Sequence, residues 1–447
     1  MRRTTLVLDK IAQDNIGKHP DGIFIASFWG WKAYVITSLP TMTQIQVKSK
    51  SRDYRLTTTI TLASIGGLSR PRLGSLLGRD HGLCFGADFH NVNARELALG
   101  TPTNRIAKSF SIAWSSCLDS MRAAVHHDSD IDLWTWLFRM TVISTSRAIF
   151  GPRSPFTTDP NLWEDLAVYN DTYHPVKNML SFAVPWRGIK EQHKLTNAFL
   201  ELLDQGGFDQ SCSLAQSRQR CFAKFCLDEH GQAGINITTT LGQSKPAAAA
   251  FACLSFIFRN SGLIDRLRGE IDAHGIEFHP SRAVDECPLL LSCLHETLRL
   301  GTLGAMVGWI TDDHVFEVKP SGRRYLLRGG RALWAAGGVA QRSEELFPDP
   351  GMFVPERFLG VRYPETQVPG FRAFAGGDVI CLGRHYFRSV TMEMLASLLT
   401  EFEFEETQRG PLCVPDVTSF AVGDGVVRPR GNTIVGIRAR RRETEQG

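Results

Sequence analysis

In the stretch "FAGGDVICLGRHYF" (residues 374–387), Cys381 stands between glycine-containing turns and directly ahead of a helical apolar pattern. Phe387, Val390, Met394, Leu395, Leu398 and Phe402 recur at three- and four-residue intervals, which predicts one buried helix face. A cysteine at the start of such a helix meets unpaired backbone N–H groups and the positive end of the helix dipole, which favour the thiolate and lower its pKa. Gly377 and Gly383 can take positive φ and let amides close around the sulfur, while Phe374 can shield one side.

An anionic sulfur with one open side suits a metal partner, a haem iron among them. Three other readings compete on the cysteine alone: a small core residue, a nucleophile at a helix start, or half of a zinc site with His385. No Cys or His pair stands at zinc spacing nearby, and no G-x-S-x-G motif supports hydrolysis.

Two neighbouring motifs bear on the choice. In "LLLSCLHETLRL" (289–300), Leu291, Leu294 and Leu298 form a buried stripe, and Glu296 and Arg299 fall together on the opposite face. Taken alone, that is a surface ion pair worth about 0.2–0.5 kcal/mol. In "FVPERF" (353–358), Arg357 lies in an irregular, proline-flanked segment. Together, a carboxylate between two guanidiniums could tie the helix to the loop upstream of Cys381, because bidentate arginine pairing is directional.

Composition bounds the rest. The chain has 447 residues, 43% hydrophobic and 10% aromatic, enough for a sizeable core, and it shows no linker, repeat or low-complexity tract at which to divide it. A formal charge of +4 is too small and dispersed for nucleic acid, and the one dense run, "RARRR" (438–442), reads as a solvated tail. Ten cysteines without a C-x-x-C pair imply reduced thiols. The longest apolar run, residues 246–258, is shorter than the roughly 18 residues a spanning helix requires.

Strands are expected at 22–38, around a turn at Gly30, and at 323–337, where Gly329-Gly330 suggests a tight hairpin. The β-rich parts are placed at 22–60 and 320–340, and helical patterns fill 105–310 and 381–404. The expected class is mainly α with a minor β portion, in a single large domain.

Glu-x-x-Arg on a helix, Pro-Glu-Arg-Phe in a loop and Phe-x-x-Gly-x-x-x-Cys-x-Gly, in that order, make residues 235–440 resemble the cytochrome P-450 superfamily, microsomal type. The resemblance implies that fold, with Cys381 as axial thiolate ligand of haem b, cradled by Phe374, Gly377 and Gly383, and with Glu296, Arg299 and Arg357 as a structural triad. It also makes "INITTTLGQSKPAAAAFACLSFIF" (235–258) the long helix crossing the haem. Pro246 cannot donate to the Gly242 carbonyl, so that helix must kink or open. Gln243 and Ser244, just before the Pro246-Ala247 step, match an amide and an alcohol that help deliver protons, as in the subgroup of sterol hydroxylases and prostacyclin-type isomerases. An amide cannot act as an acid, and a serine can only relay a proton.

The implied activity is insertion of one oxygen atom from O2 into a lipophilic terpenoid, steroid or polyketide in secondary metabolism. Electrons would come from NADPH through a separate flavoprotein reductase, which could dock at Arg372, Arg384 and Arg388. A haem-thiolate isomerase or dehydratase and a non-catalytic relative remain open. Departures from the family pattern are Val379 at a usually basic position, no Trp-to-Arg pattern near Trp114, no arginine in "MVGWITDD" (306–313), and Phe387 in place of a small residue. The resemblance implies the cytosolic face of the endoplasmic reticulum; the chain starts close to where the first sheet would begin, so it reads as either a shortened form or a soluble, cytosolic member of the family.

Overall fold

The computed structural model describes residues 11–28, 31–46, 85–125, 130–172, 186–275, 279–302, 306–310, 312–319, 321–377, 380–414, 429 and 431–440. Gly30, residues 47–60 and Val379 therefore lie outside the described residues.

The chain starts with a hairpin, β1 (Ile23–Phe28) and β2 (Trp31–Ile36), whose strands pair antiparallel. A short helix α1 (Leu39–Gln46) follows. Helices then dominate: α2 (Phe85–Glu96), α3 (Thr101–Val125), a two-residue strand β3 (Ile131–Asp132) and α4 (Leu133–Phe150). Chemistry local to each end sets the limits of α4. The Asp132 carboxylate accepts the Thr135 N–H at 3.1 Å, and Gly151 ends the helix at φ +83, where a Cβ would sit 2.6 Å from the Gln210 carbonyl oxygen.

After α5 (Leu162–Thr172), α6 (Trp186–Asp204) and α7 (Ser213–Lys224) comes a pair of end-to-end helices, α8 (Glu229–Gln243) and α9 (Lys245–Phe258). They meet at Ser244, two residues before Pro246, where the expected opening occurs. Residues 246–255 are buried on every side, because α9 packs against α4, α11 and α14 at once. Helices α10 (Leu263–Asp272) and α11 (Pro288–Gly301) complete this half.

The second β portion differs from the expected hairpin. Strands β4 (Met306–Ile310), β5 (His314–Val318), β6 (Arg323–Leu327) and β7 (Arg331–Ala335) are divided between two sheets. β6 pairs with β5, whereas β7 lies parallel to β2 and antiparallel to β4 in a sheet of order β1-β2-β7-β4. Gly330 takes φ +73 and donates to the Ile310 carbonyl, so Gly329-Gly330 turns the chain out of one sheet into the other.

Helix α12 (Gly337–Gln341), an irregular arginine- and proline-rich segment and the short α13 (Pro364–Gln367) lead to the cysteine. The last helix, α14 (Arg384–Glu401), runs into β8 (Phe402–Glu406), which joins β9 (Ile434–Ala439) and β3 in a third sheet. Not one face of α14 but nearly its whole length is buried, Thr391 to Thr400 without interruption, while Phe387 is only partly covered. The basic run at 438–442 also differs from a solvated tail where it is described, for Arg438 pairs with Glu405 and Arg440, mostly covered, with Asp272.

Candidate functional site

Cys381 sits two residues before the Gly383 cap of α14, at the close of a loop that folds back on itself. Its N–H donates to the Phe374 carbonyl at 2.9 Å, the Ile380 N–H to Gly377 at 3.2 Å, and the Ala375 N–H to Arg372 at 2.9 Å. Two left-handed residues make these turns, Gly377 at φ +60 and Ala375 at φ +62. Gly383 differs from expectation: it holds φ −79 and a Cβ there would meet no protein atom within 4 Å, so neither backbone conformation nor packing within the chain requires a glycine.

Cys381 as a residue is exposed, yet protein surrounds its thiol closely enough for desolvation to push the pKa up. The amides of Gly383 and Arg384 and the Arg384 charge oppose that shift without overcoming it, against the direction expected from helix position alone. A coordinated metal removes the proton outright. Phe374, buried, packs edge-on against Phe387 and lies under the Arg388 guanidinium.

Behind the loop, the structure brings Glu296, Arg299 and Arg357 together. The Glu296 carboxylate accepts Arg299 in a fork, at 2.7 Å from Nε and 2.8 Å from Nη2, and Arg357 Nε at 2.9 Å. Glu296 and Arg299 are fully buried, because the segment 341–358 covers the face that periodicity leaves polar. Arg299 also donates to the carbonyls of Gln341, Pro350 and Met352, and Arg357 to that of Pro348. Irregular backbone that no helix or sheet could satisfy is thus held by guanidinium donors.

Gln341 carries this link onward. Its amide donates to the Thr302 carbonyl at 2.8 Å, and its oxygen accepts the Arg372 N–H at 2.9 Å. No spacing pattern marks Gln341, and only its full burial shows its part.

The expected docking face at Arg372, Arg384 and Arg388 is corrected by burial. Arg388 is 2% exposed and Arg372 9%, and Arg384 is partly covered. Arg388 donates to Glu365 at 2.8 Å and to His295 at 3.1 Å. Arg372 has an Nε without a hydrogen-bond partner and, among the described residues, no carboxylate. Trp114, far from any such role, stacks on Phe110 and donates to Ser397.

Across the break in the central helix, Gln243 is half-buried with a carbonyl oxygen that no donor reaches. Ser244 is buried and gives its hydroxyl proton to the Leu241 carbonyl at 2.8 Å.

Among the described residues no group of three or more His, Cys, Asp or Glu could hold a metal by themselves. The ligand set around Cys381 fits a metal that brings its own equatorial ligands: one accessible sulfur, amides directed at it, an empty flank at Gly383, and a buried, uncompensated guanidinium at Arg372 for an anionic edge. A single sulfur offered to iron from a mainly helical frame is what a haem-thiolate protein requires.

The cytochrome P-450 family model matches residues 90–435, and the chain belongs to that family. The fold is similar to the crystal structure of a cytochrome P-450, with a TM-score of 0.70 over 97% of this chain and 94% of that one at 17% identity. The chain is 28% identical over 161 residues to the cytochrome P-450 monooxygenase poxD of Penicillium oxalicum, covering 34% of this chain and 33% of the relative. It is 24% identical over 228 residues to prostacyclin synthase of Bos taurus, covering 46% and 44%. Identity reaches 37% over 83 residues of the beta-amyrin 28-monooxygenase of Solanum lycopersicum, 18% of this chain and 16% of the relative. The chain thus spans less than half the length of each of these relatives.

Proposed function

We propose that this protein is a haem-thiolate monooxygenase that inserts one oxygen atom from O2 into a lipophilic small molecule of terpenoid, steroid or polyketide type, with electrons delivered from NADPH by a separate flavoprotein reductase. The observation that carries the reading is Cys381 at the start of α14, an exposed residue with the amides of Gly383 and Arg384 directed at its sulfur. Relatives named as monooxygenases in a fungus and a plant support it.

When bound, haem supplies oxygen activation and transfer. The residues of this chain supply the setting. Cys381 would hold the iron, with Phe374 packed beside it and the Glu296 cluster fixing the loop behind. The apolar residues of α9 would help to keep water from such a site. At the helix break, the unpartnered carbonyl oxygen of Gln243 would accept from a water or hydroxyl. Ser244 can pass a proton on only after turning its hydroxyl away from the Leu241 carbonyl.

Prostacyclin synthase among the relatives supports a second reading, an isomerase or dehydratase of the same haem-thiolate type that consumes no O2.

Hemin-loaded protein, reduced and exposed to carbon monoxide, is expected to show the strongly red-shifted Soret band of a thiolate ligand. Cys381→Ala abolishes the band, and Cys293→Ala, which alters a fully buried core cysteine, leaves it. The reverse pattern would overturn the ligand assignment. Turnover with and without NADPH and reductase then separates the two activities: oxygen uptake that tracks product supports monooxygenation, and product formed without either supports isomerisation.

A further inference from the structure

A second charged cluster lies beside the Glu296 triad and shares no residue with it. Arg388, on the second turn of α14, donates from Nη2 to Glu365 Oε2 at 2.8 Å and from Nε to His295 Nε2 at 3.1 Å. The other oxygen of Glu365 pairs at 3.4 Å with Nε of Arg384, the first residue of α14. Arg384 in turn donates from Nη1 to the backbone carbonyl of Cys381 at 3.0 Å. The route therefore runs from α11 through α14 and α13 to the peptide that carries the sulfur.

The chemistry of each partner is consistent with a fixed tie. Because Arg388 donates to Nε2, that nitrogen is the acceptor and His295 is the neutral tautomer. Burial and the adjacent guanidinium both push its pKa well below the usual value, which keeps it so. Glu365 accepts a hydrogen bond from Arg388 on one oxygen and lies at ion-pair distance from Arg384 on the other; its carboxylate is almost completely buried, as is Arg388, while Arg384 retains a partly open edge. Arg388 also lies over the rings of Tyr363 at 5.4 Å and Phe374 at 5.5 Å, so it meets the cysteine loop from a second side. His295 immediately precedes Glu296, which joins the roots of the two clusters on one helix.

We propose that Glu365, Arg384, Arg388 and His295 are positioning residues that set the Cys381 peptide, and hence the direction of the sulfur, for iron. Buried ionic ties are directional rather than strongly stabilising, and two of them on one loop fix orientation where its two left-handed turns leave freedom. The inference rests on the haem-thiolate reading above.

The test uses the full chain as purified, loaded with hemin. Arg384→Met keeps the stem of a partly exposed side chain and removes the tie to the Cys381 carbonyl. The thiolate-type fraction of the reduced carbon monoxide spectrum is expected to fall at least threefold, and amide exchange in peptides covering 371–383 to quicken about tenfold, with exchange in α11 unchanged. Arg388→Lys is expected to hold more of the thiolate signal than Arg388→Met. Where Arg388→Met fails to fold, Arg384→Met and Glu365→Gln decide the matter. Wild-type spectra and wild-type loop exchange in Arg384→Met and Glu365→Gln would overturn the proposal. Absence of the thiolate band from wild-type protein would instead overturn the haem-thiolate reading, and loop exchange would still decide the role of the tie.

Discussion

Ala375 does in this loop what a glycine would do at less strain. Its φ of +62 is a conformation that an L residue other than Asn or Asp adopts at a cost of about 1–2 kcal/mol. Ala375→Gly is therefore expected to stabilise the folded protein by about 0.5–1 kcal/mol after the added freedom of the unfolded chain is subtracted, read as a higher denaturant midpoint.

A second residue effect concerns Glu393 on α14, whose carboxylate is 3% exposed and accepts from Ser111 at 2.8 Å. Burial pushes its pKa up to about 7 from an ordinary 4.5. The folded state thus holds its proton more tightly than the unfolded state. Stability is complete below the unfolded value and declines as pH rises from about 4.5 through about 7, by at most about 3 kcal/mol. Glu393→Gln keeps an acceptor for Ser111 and removes the charge. The variant is expected to melt higher than wild type above about pH 7.5 and alike near pH 5, a difference that scanning calorimetry at the two pH values would read. Neither Ala375 nor Glu393 was legible in the sequence, since φ and desolvation depend on neighbours that no spacing rule names.

Among elements, the joint between α11 and the segment 341–358 is the one on which the site most depends. Periodicity puts Glu296 and Arg299 together on a polar helix face; what it cannot show is the irregular backbone that covers the face and leaves both groups without solvent. The difference is measurable. Glu296→Ala would leave two guanidiniums unpaired in the interior and is expected to cost about 3–5 kcal/mol, seen as lost soluble yield or a collapsed denaturation midpoint. Glu356→Ala, which breaks the outer pair with Arg266, is expected to change stability by less than about 1 kcal/mol. The long-range sheet contacts are the other element-scale lesson. A pair of glycines between apolar strands reads locally as a hairpin, yet β7 finds better partners in β2, some three hundred residues away, and in β4. Short-range turn chemistry yields to tertiary pairing there.

For the molecule as a whole, the helical class, the minor β portion, the break before Pro246 and the long helix after the cysteine were all readable from residue patterns, because each rests on local periodicity or on proline chemistry. The first half offered apolar patterns without motifs, so its helices could be expected but not placed. The second arginine cluster was visible only as basic residues near a cysteine, which in a sequence looks like a charged surface. Among the described residues no single helix is long and apolar enough to cross a membrane, and the most apolar one, α9, spends its greasy surface on its neighbours.

Helix α14 is enclosed from Thr391 to Thr400, and its first residue touches the carbonyl of the cysteine that precedes it. A group held by that sulfur would be moored to a post that continues straight into the keel. Its loss on heating is therefore expected to keep pace with the loss of helicity, and bleaching that runs well ahead of it would show that the mooring lets go on its own.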